Sequence, residues 1–292
     1  VLLSTTIYNC NAILDQAIFK NIANLQGYSA NDISEWNGIY TGKYKTLINV
    51  PISIASSLAA SSVPALTAAY TNGDQEKVRS QINTAIRFIM VIAFPCAVGM
   101  GVLASPILQL LFHDSSELAA AMLQLGAVSI LFFSLSTLSN GLLQGINRMH
   151  EPVKNALIAL VLHIGLLIGL MYGFHLNIYA VVYANAFFGL LMCVLNAYSV
   201  KKYSGYKQEW KRTFLIPGLS AVVMGAAVWG AYKLTLYLFR VNALATIIGI
   251  LVGVCVYAVV LLLLHGMTEE EIRKFPKGYL LVRIAKKMHL LH

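Results

Sequence analysis

The sequence predicts an all-α fold, a polytopic membrane helical bundle of about eight transmembrane helices, and three observations predict it. Hydrophobic residues make up 58% of the 292 and charged residues 11%, against roughly 45–50% and about 25% in soluble domains. That much apolar surface cannot be enclosed in one core of this size. The apolar residues fall in runs of about 20, enough for a helix to cross a ~30 Å hydrocarbon layer. Lysine and arginine gather between the runs, preferentially on alternate connections. A disordered chain, a disulfide scaffold and an ordinary soluble enzyme are excluded.

Eight runs qualify as spans: 1–22, 44–70, 82–104, 118–142, 155–174, 178–200, 213–236 and 243–265. The first is the least apolar, with Asn9, Asn11, Asp15, Gln16 and Lys20. A charge at the centre of a bilayer costs about 2.5–3.5 kcal/mol on insertion scales. Asn11 and Asp15 are four apart and share a helical face, with Tyr8 beside Asn11. This stripe is expected to face a protein interior or an aqueous cavity. Two readings stay open: contact with a substrate or coupling ion, or a structural hydrogen bond to a neighbouring helix. Lys20 is placed to snorkel to the surface.

Residues 23–43 read as the one long connection. The second span carries Ser53, Ser56, Ser57, Ser61 and Ser62 among alanines, with Pro51 and Pro64. Small residues allow close helix approach and prolines loosen the backbone ladder, so the helix reads either as a moving part or as a crowded static one. Lys43 and Lys45 at its end offer cations to an anionic head group, unless they are simply solvated. Arg87, inside the third span, is expected to snorkel. In the fifth span His163 is the one histidine deep in a run; it reads as a packed, hydrogen-bonded side chain or as a proton site. Gly165, Gly169 and Gly173 form a small-residue ladder, and Gly249 and Gly253 another in the last span, both read as helix packing.

The division expected is a six-helix unit over 1–200, two additional helices over 201–266, and a basic amphipathic tail over 267–292 lying on the membrane surface. Sixteen of the 21 lysines and arginines fall on one side of the eight spans, including Lys201, Lys202, Lys207, Lys211 and Arg212; the other side holds Lys20, Lys43, Lys45, Lys233 and Arg240. The positive-inside rule puts the richer side, with both chain ends, in the cytoplasm. The chain begins at Val1 within an apolar run, which is expected of a piece of a longer protein.

Catalytic signatures such as HExxH, GxSxG and Walker A are absent from the sequence. Cys10, Cys96, Cys193 and Cys255 are far apart and lack metal-ligand spacing. The net charge of +9 forms no Lys/Arg stripe with interleaved aromatics, so nucleic acid is not expected as a partner. No enzyme, metal or cofactor is expected.

Three stretches, taken together, resemble a known family: Gly38 to Ile82, where a span ends in VPALTAAY before a GD-containing basic loop; Phe94 to Phe112, where Ser-Pro opens a short amphipathic stretch; and LLQGINRMHEPVKN, Leu142 to Asn155. The pattern resembles the polysaccharide-transport branch of the multidrug/oligosaccharidyl-lipid/polysaccharide flippase superfamily, and most of all its stage V sporulation protein B group. The resemblance implies two six-helix lobes and two extra helices, of which this chain supplies the second lobe and the extra pair, with the N-terminal lobe upstream. It implies a flippase of the cytoplasmic membrane that moves a lipid-linked oligosaccharide or peptidoglycan precursor by alternating access, with a coupling cation as a further partner. Asn11, Asp15, Lys43 and Lys45 are then the candidates for substrate or ion contact. A drug or cation antiporter of the same superfamily, and a non-transporting factor in envelope or spore-cortex assembly, remain the alternatives.

Overall fold

In the computed structural model residues 2–269, 279, 282 and 283 are described, residues 2–10 by backbone alone. Every regular element among them is helical: α1 (Leu2–Leu25), α2 (Ala30–Gly38), α3 (Lys45–Thr71), α4 (Gln75–Val102), α5 (Ala104–Phe112), α6 (Glu117–Gly126), α7 (Ser129–Gly145), α8 (His150–Phe174), α9 (Asn177–Ser204), α10 (Ile216–Phe239) and α11 (Asn242–Leu263). The basic tail expected over 267–292 lies almost wholly outside the described residues.

Local chemistry sets the boundaries. The Ser29 hydroxyl accepts from the Asp32 amide to open α2, the Asp74 carboxylate accepts from the Lys77 amide to open α4, and Ser116 caps α6 in the same way. Gly205 ends α9 in the left-handed conformation that glycine tolerates best.

Two boundaries differ from the sequence reading. Residues 23–43 are mostly not a loop: α2 continues through a π-helical stretch, Ile39–Tyr44, straight into α3, so Ala30–Thr71 is one 42-residue helical body. The polar α2 sequence hid this, because its hydropathy falls below that of a span while its capping and helical spacing are sound. The expected span 118–142 is a bent pair, α6 and α7 meeting at 45°.

Among the described residues six helical bodies are long and apolar enough to cross a membrane, seven with the bent pair. The remaining expected span, the first, is α1; at 24 residues it is long enough, about 36 Å at 1.5 Å per residue, but its polar residues keep its hydropathy low.

The principal core joins α3, α4, α7 and α9, and a smaller one seats α10 and α11 on α4. Small residues allow the tightest crossing, α3 on α7: a Cβ on Gly141 would stand 2.8 Å from the Ala59 Cβ, and one on Gly145 2.9 Å from a Leu66 methyl. On the other side α8 packs on α9, and α1 packs on α8. That places α1, the most polar long helix, against two apolar ones.

Candidate functional site

Asp15 is fully buried at the crossing of α1, α8 and α9. Its Oδ1 lies 2.5 Å from His163 Nε2, and its Oδ2 accepts from Asn185 Nδ2 at 3.4 Å. The other ring nitrogen, His163 Nδ1, lies 2.8 Å from the Ala184 carbonyl oxygen. His163 is itself fully buried, with its ring edge-on to Phe188 at 5.7 Å. The Tyr40 phenol and the Lys45 ammonium, both on the α2–α3 body, are within electrostatic reach of Asp15.

Proton positions follow from these contacts. A carbonyl oxygen only accepts, so Nδ1 carries the hydrogen toward Ala184. Nε2 and Asp15 Oδ1 then need one further proton between them. It sits on the ring, giving imidazolium and carboxylate, or on the carboxyl, which donates to a neutral ring. In both forms the pair shares one proton and is neutral overall. Without it, two lone pairs would face each other in a site closed to water, with a net buried charge.

The polar stripe of α1 therefore avoids lipid, as its cost requires, but it meets protein and not an open cavity in this conformation. Asn11 is buried beside Asp15 on the same helix face. Gln26 at the end of α1 donates to the Met171 carbonyl at 2.7 Å, a second fastening of α1 to α8.

Lys43 and Lys45 part company. Lys43 reaches Asp114, in the α5–α6 connection, at 2.5 Å. Burial pushes the Asp114 carboxyl up, but the Lys43 ammonium and the amide and hydroxyl of Ser116 pull it further down, so it rests below the ordinary carboxylate range. Lys45 lies over the Tyr40 ring at 5.1 Å. Beyond Lys45, α3 turns outward a face of Ser53, Ser56, Ser57, Ala60, Ser61 and Thr67. Ser53, Ser57 and Ser61 bond back to carbonyls three or four residues earlier, so the face is polar but internally satisfied. Elsewhere the outward surfaces carry large apolar side chains, such as Val161 and Leu162 on α8 and Leu251 and Val254 on α11.

Other expectations resolve as follows. Arg87 does not snorkel: it is buried and ion-paired with Glu209, from the α9–α10 connection. A carboxylate more than a hundred positions away could not be foreseen from the span alone. Gly165, Gly169 and Gly173 lie on an exposed face of α8 with no atom within 4 Å of an added Cβ, so that ladder packs on no helix among the described residues. Gly253 faces α10, where a Cβ would come 2.8 Å from a Val228 methyl, and Gly249 faces Tyr232 and Val228. The Asp15–His163 pairing was missed, although its signal was present: each is the one residue of its kind deep in a span, and lone ionisable groups at membrane depth seek each other. Asn185 carried no such signal. A second buried amide cluster, Asn155 with Asn196 and Ser199 and Asn196 with Asn140, was also missed; it ties α8, α9 and α7.

Among known proteins, residues 40–250 match the family model described as lipid II flippase MurJ. The lipid II flippase MurJ of Bacillus subtilis (strain 168) is 30% identical over 195 residues, 65% of this chain and 35% of that protein. The probable lipid II flippase MurJ of Bdellovibrio bacteriovorus is 28% identical over 218 residues, 72% of this chain and 40% of that protein. The membrane protein YabM of B. subtilis is 24% identical over 272 residues, 89% and 49% respectively. The chain thus spans between about a third and a half of the length of these relatives. A solved structure of the lipid II flippase MurJ in an inward closed conformation superposes with a TM-score of 0.67 at 18% identity, over 88% of this chain and 51% of that one, which shows a shared fold.

Proposed function

This chain belongs to the lipid II flippase MurJ family, a family of membrane transporters and not of enzymes, and on that premise we propose that it works in a flippase carrying a lipid-linked peptidoglycan precursor across the cytoplasmic membrane by alternating access. In this reading residues 1–200 form one lobe, residues 201–266 an additional helix pair, and an opposing lobe closes the transport path. The motifs resembling the stage V sporulation protein B group do not separate a peptidoglycan precursor from another lipid-linked oligosaccharide; the names of the matching relatives favour the former.

The observation that carries the reading is the outward face of α3. Its exposed Ser53, Ser56, Ser57 and Ser61 form a small polar row, broken by Val50 and Ile54, whereas the exposed positions of α8, α10 and α11 are largely apolar. We assign it to the head-group path, with the Lys45 ammonium as the contact for a phosphate and Lys43 held back by Asp114. Asp15 and His163 are assigned to coupling. Their shared proton is the cation, and its presence decides whether α1 stays fastened to α8 and α9. A proton drives the cycle only if the two conformations bind it unequally, and a pair that forms its contact only when protonated meets that condition. Asn11 adjoins this site and sets its polarity.

The test is rescue of bacteria depleted of their own lipid II flippase, using the complete reading frame. Growth, with labelled precursor reaching the outer leaflet, is the expected result. Absence of rescue with the protein present in the membrane would overturn the assignment of the cargo. Asp15→Asn keeps the size and a hydrogen bond to His163 but removes the titratable proton, so rescue is expected to fail at normal protein levels.

A further inference from the structure

On the far side of the lobe from the α1 site, a cavity of about 760 Å³ opens between α4, α7, α9 and the α9–α10 connection. The volume lies within the roughly 300–1,000 Å³ of sites that hold small molecules. Its floor is apolar, with Met90 and Leu135 nearly fully buried. Its open side is rimmed by Val194, Tyr198 and Trp210, each more than half exposed. The indentation thus faces the space that lipid fills around a spanning helix. One end differs from the rest: Lys201 and Lys207 stand at the mouth, and neither has an ion-pair partner among the described residues. The Gln208 side-chain amide is buried there beside the Tyr206 hydroxyl. Glu209, two residues after Lys207, is engaged by Arg87. Apolar walls at membrane depth, two free cations and an amide donor at one end, and an aromatic ring at the rim are complementary to a single kind of occupant.

We propose that this cavity is a binding site for an anionic phospholipid, with its phosphate on Lys201 and Lys207 and one acyl chain lying along α9 toward Met90 and Leu135. The site is separate from the head-group path on α3 and stands whether or not the cargo is lipid II. Its role is to hold the α9–α10 connection, and through Glu209 the buried Arg87, in place.

Fluorescence quenching of Trp210 tests it, in the complete protein with every other tryptophan, Trp36 and Trp229 among them, replaced by phenylalanine so that Trp210 reports alone. The protein is reconstituted in phosphatidylcholine vesicles containing a small fraction of lipid with brominated chains. Brominated phosphatidylglycerol is expected to quench Trp210 with about 25-fold higher affinity than brominated phosphatidylcholine, two lysines contributing about fivefold each. Lys201→Gln with Lys207→Gln is expected to abolish the difference. Equal quenching by the two lipids in the unsubstituted background would overturn the proposal, and that comparison needs no lysine variant to fold. Preference for phosphatidylglycerol that survives the double substitution would overturn it as well, because the charge would then be read elsewhere.

Discussion

At the scale of single residues, the central contact joins Asp15 to His163. Removing one partner leaves a buried charge or donor without compensation, which costs about 3–5 kcal/mol. His163→Ala is therefore expected to lower the thermal midpoint of the protein in detergent by many degrees. Asp15→Asn combined with His163→Ala is expected to recover part of that loss, since no charge is then stranded. Additive losses in the double-mutant cycle would show that the two side chains do not act as a pair. A second residue-scale prediction concerns Asp114. Its carboxyl is depressed in the folded state, so its contribution is present above the unfolded value of about 3.9 and fades as pH falls through the lower folded value. Asp114→Asn is expected to cost up to about 1 kcal/mol at neutral pH and nothing in strong acid, read from melting curves across pH. How much of the site was legible in the sequence is clear from these residues. Asp15, Asn11 and His163 stood out because polar groups are expensive at membrane depth. Their pairing did not, because it joins positions 148 apart and no periodicity within one helix encodes the angle at which two helices cross.

At the scale of elements, α3 is read differently on its two sides. Inward, Ala55, Ala59 and Leu66 are buried against glycines of α7; outward, serines line the face assigned to the head group. The inward side is tested by Gly145→Val: its added atoms meet Leu66, and overpacking of this kind costs about 1–3 kcal/mol, visible as a lowered thermal midpoint. Ser57→Val, on the outward side, is expected to leave stability nearly unchanged and to reduce transport; the reverse outcome would exchange the roles of the two faces. The helices themselves were legible from apolar runs and flanking caps. The α2–α3 continuity was not, since hydropathy marks where a chain can enter a bilayer and not where a helix ends. The ladder on α8 shows the converse limit: small-residue spacing identifies a face suited to packing without naming what packs there, and among the described residues nothing does.

At the scale of the whole molecule, two asymmetries define the account. The basic residues favour one side, and among the described residues a row of exposed serines runs along α3. The first sets orientation: with native cysteines replaced, Lys207→Cys is expected to react with an impermeant maleimide only from the cytoplasm, and Arg240→Cys only from outside; reversed labelling would invert the topology. In the proposed reading the second marks the path of the head group, and the proton shared by Asp15 and His163 sets the direction of the cycle. The complete protein in vesicles, loaded with fluorescent lipid II and given an imposed pH gradient, tests that claim most directly. The prediction is gradient-dependent movement of the head group between leaflets, lost in Asp15→Asn. Movement that ignores the gradient, or that survives the substitution at an undiminished rate, would contradict it.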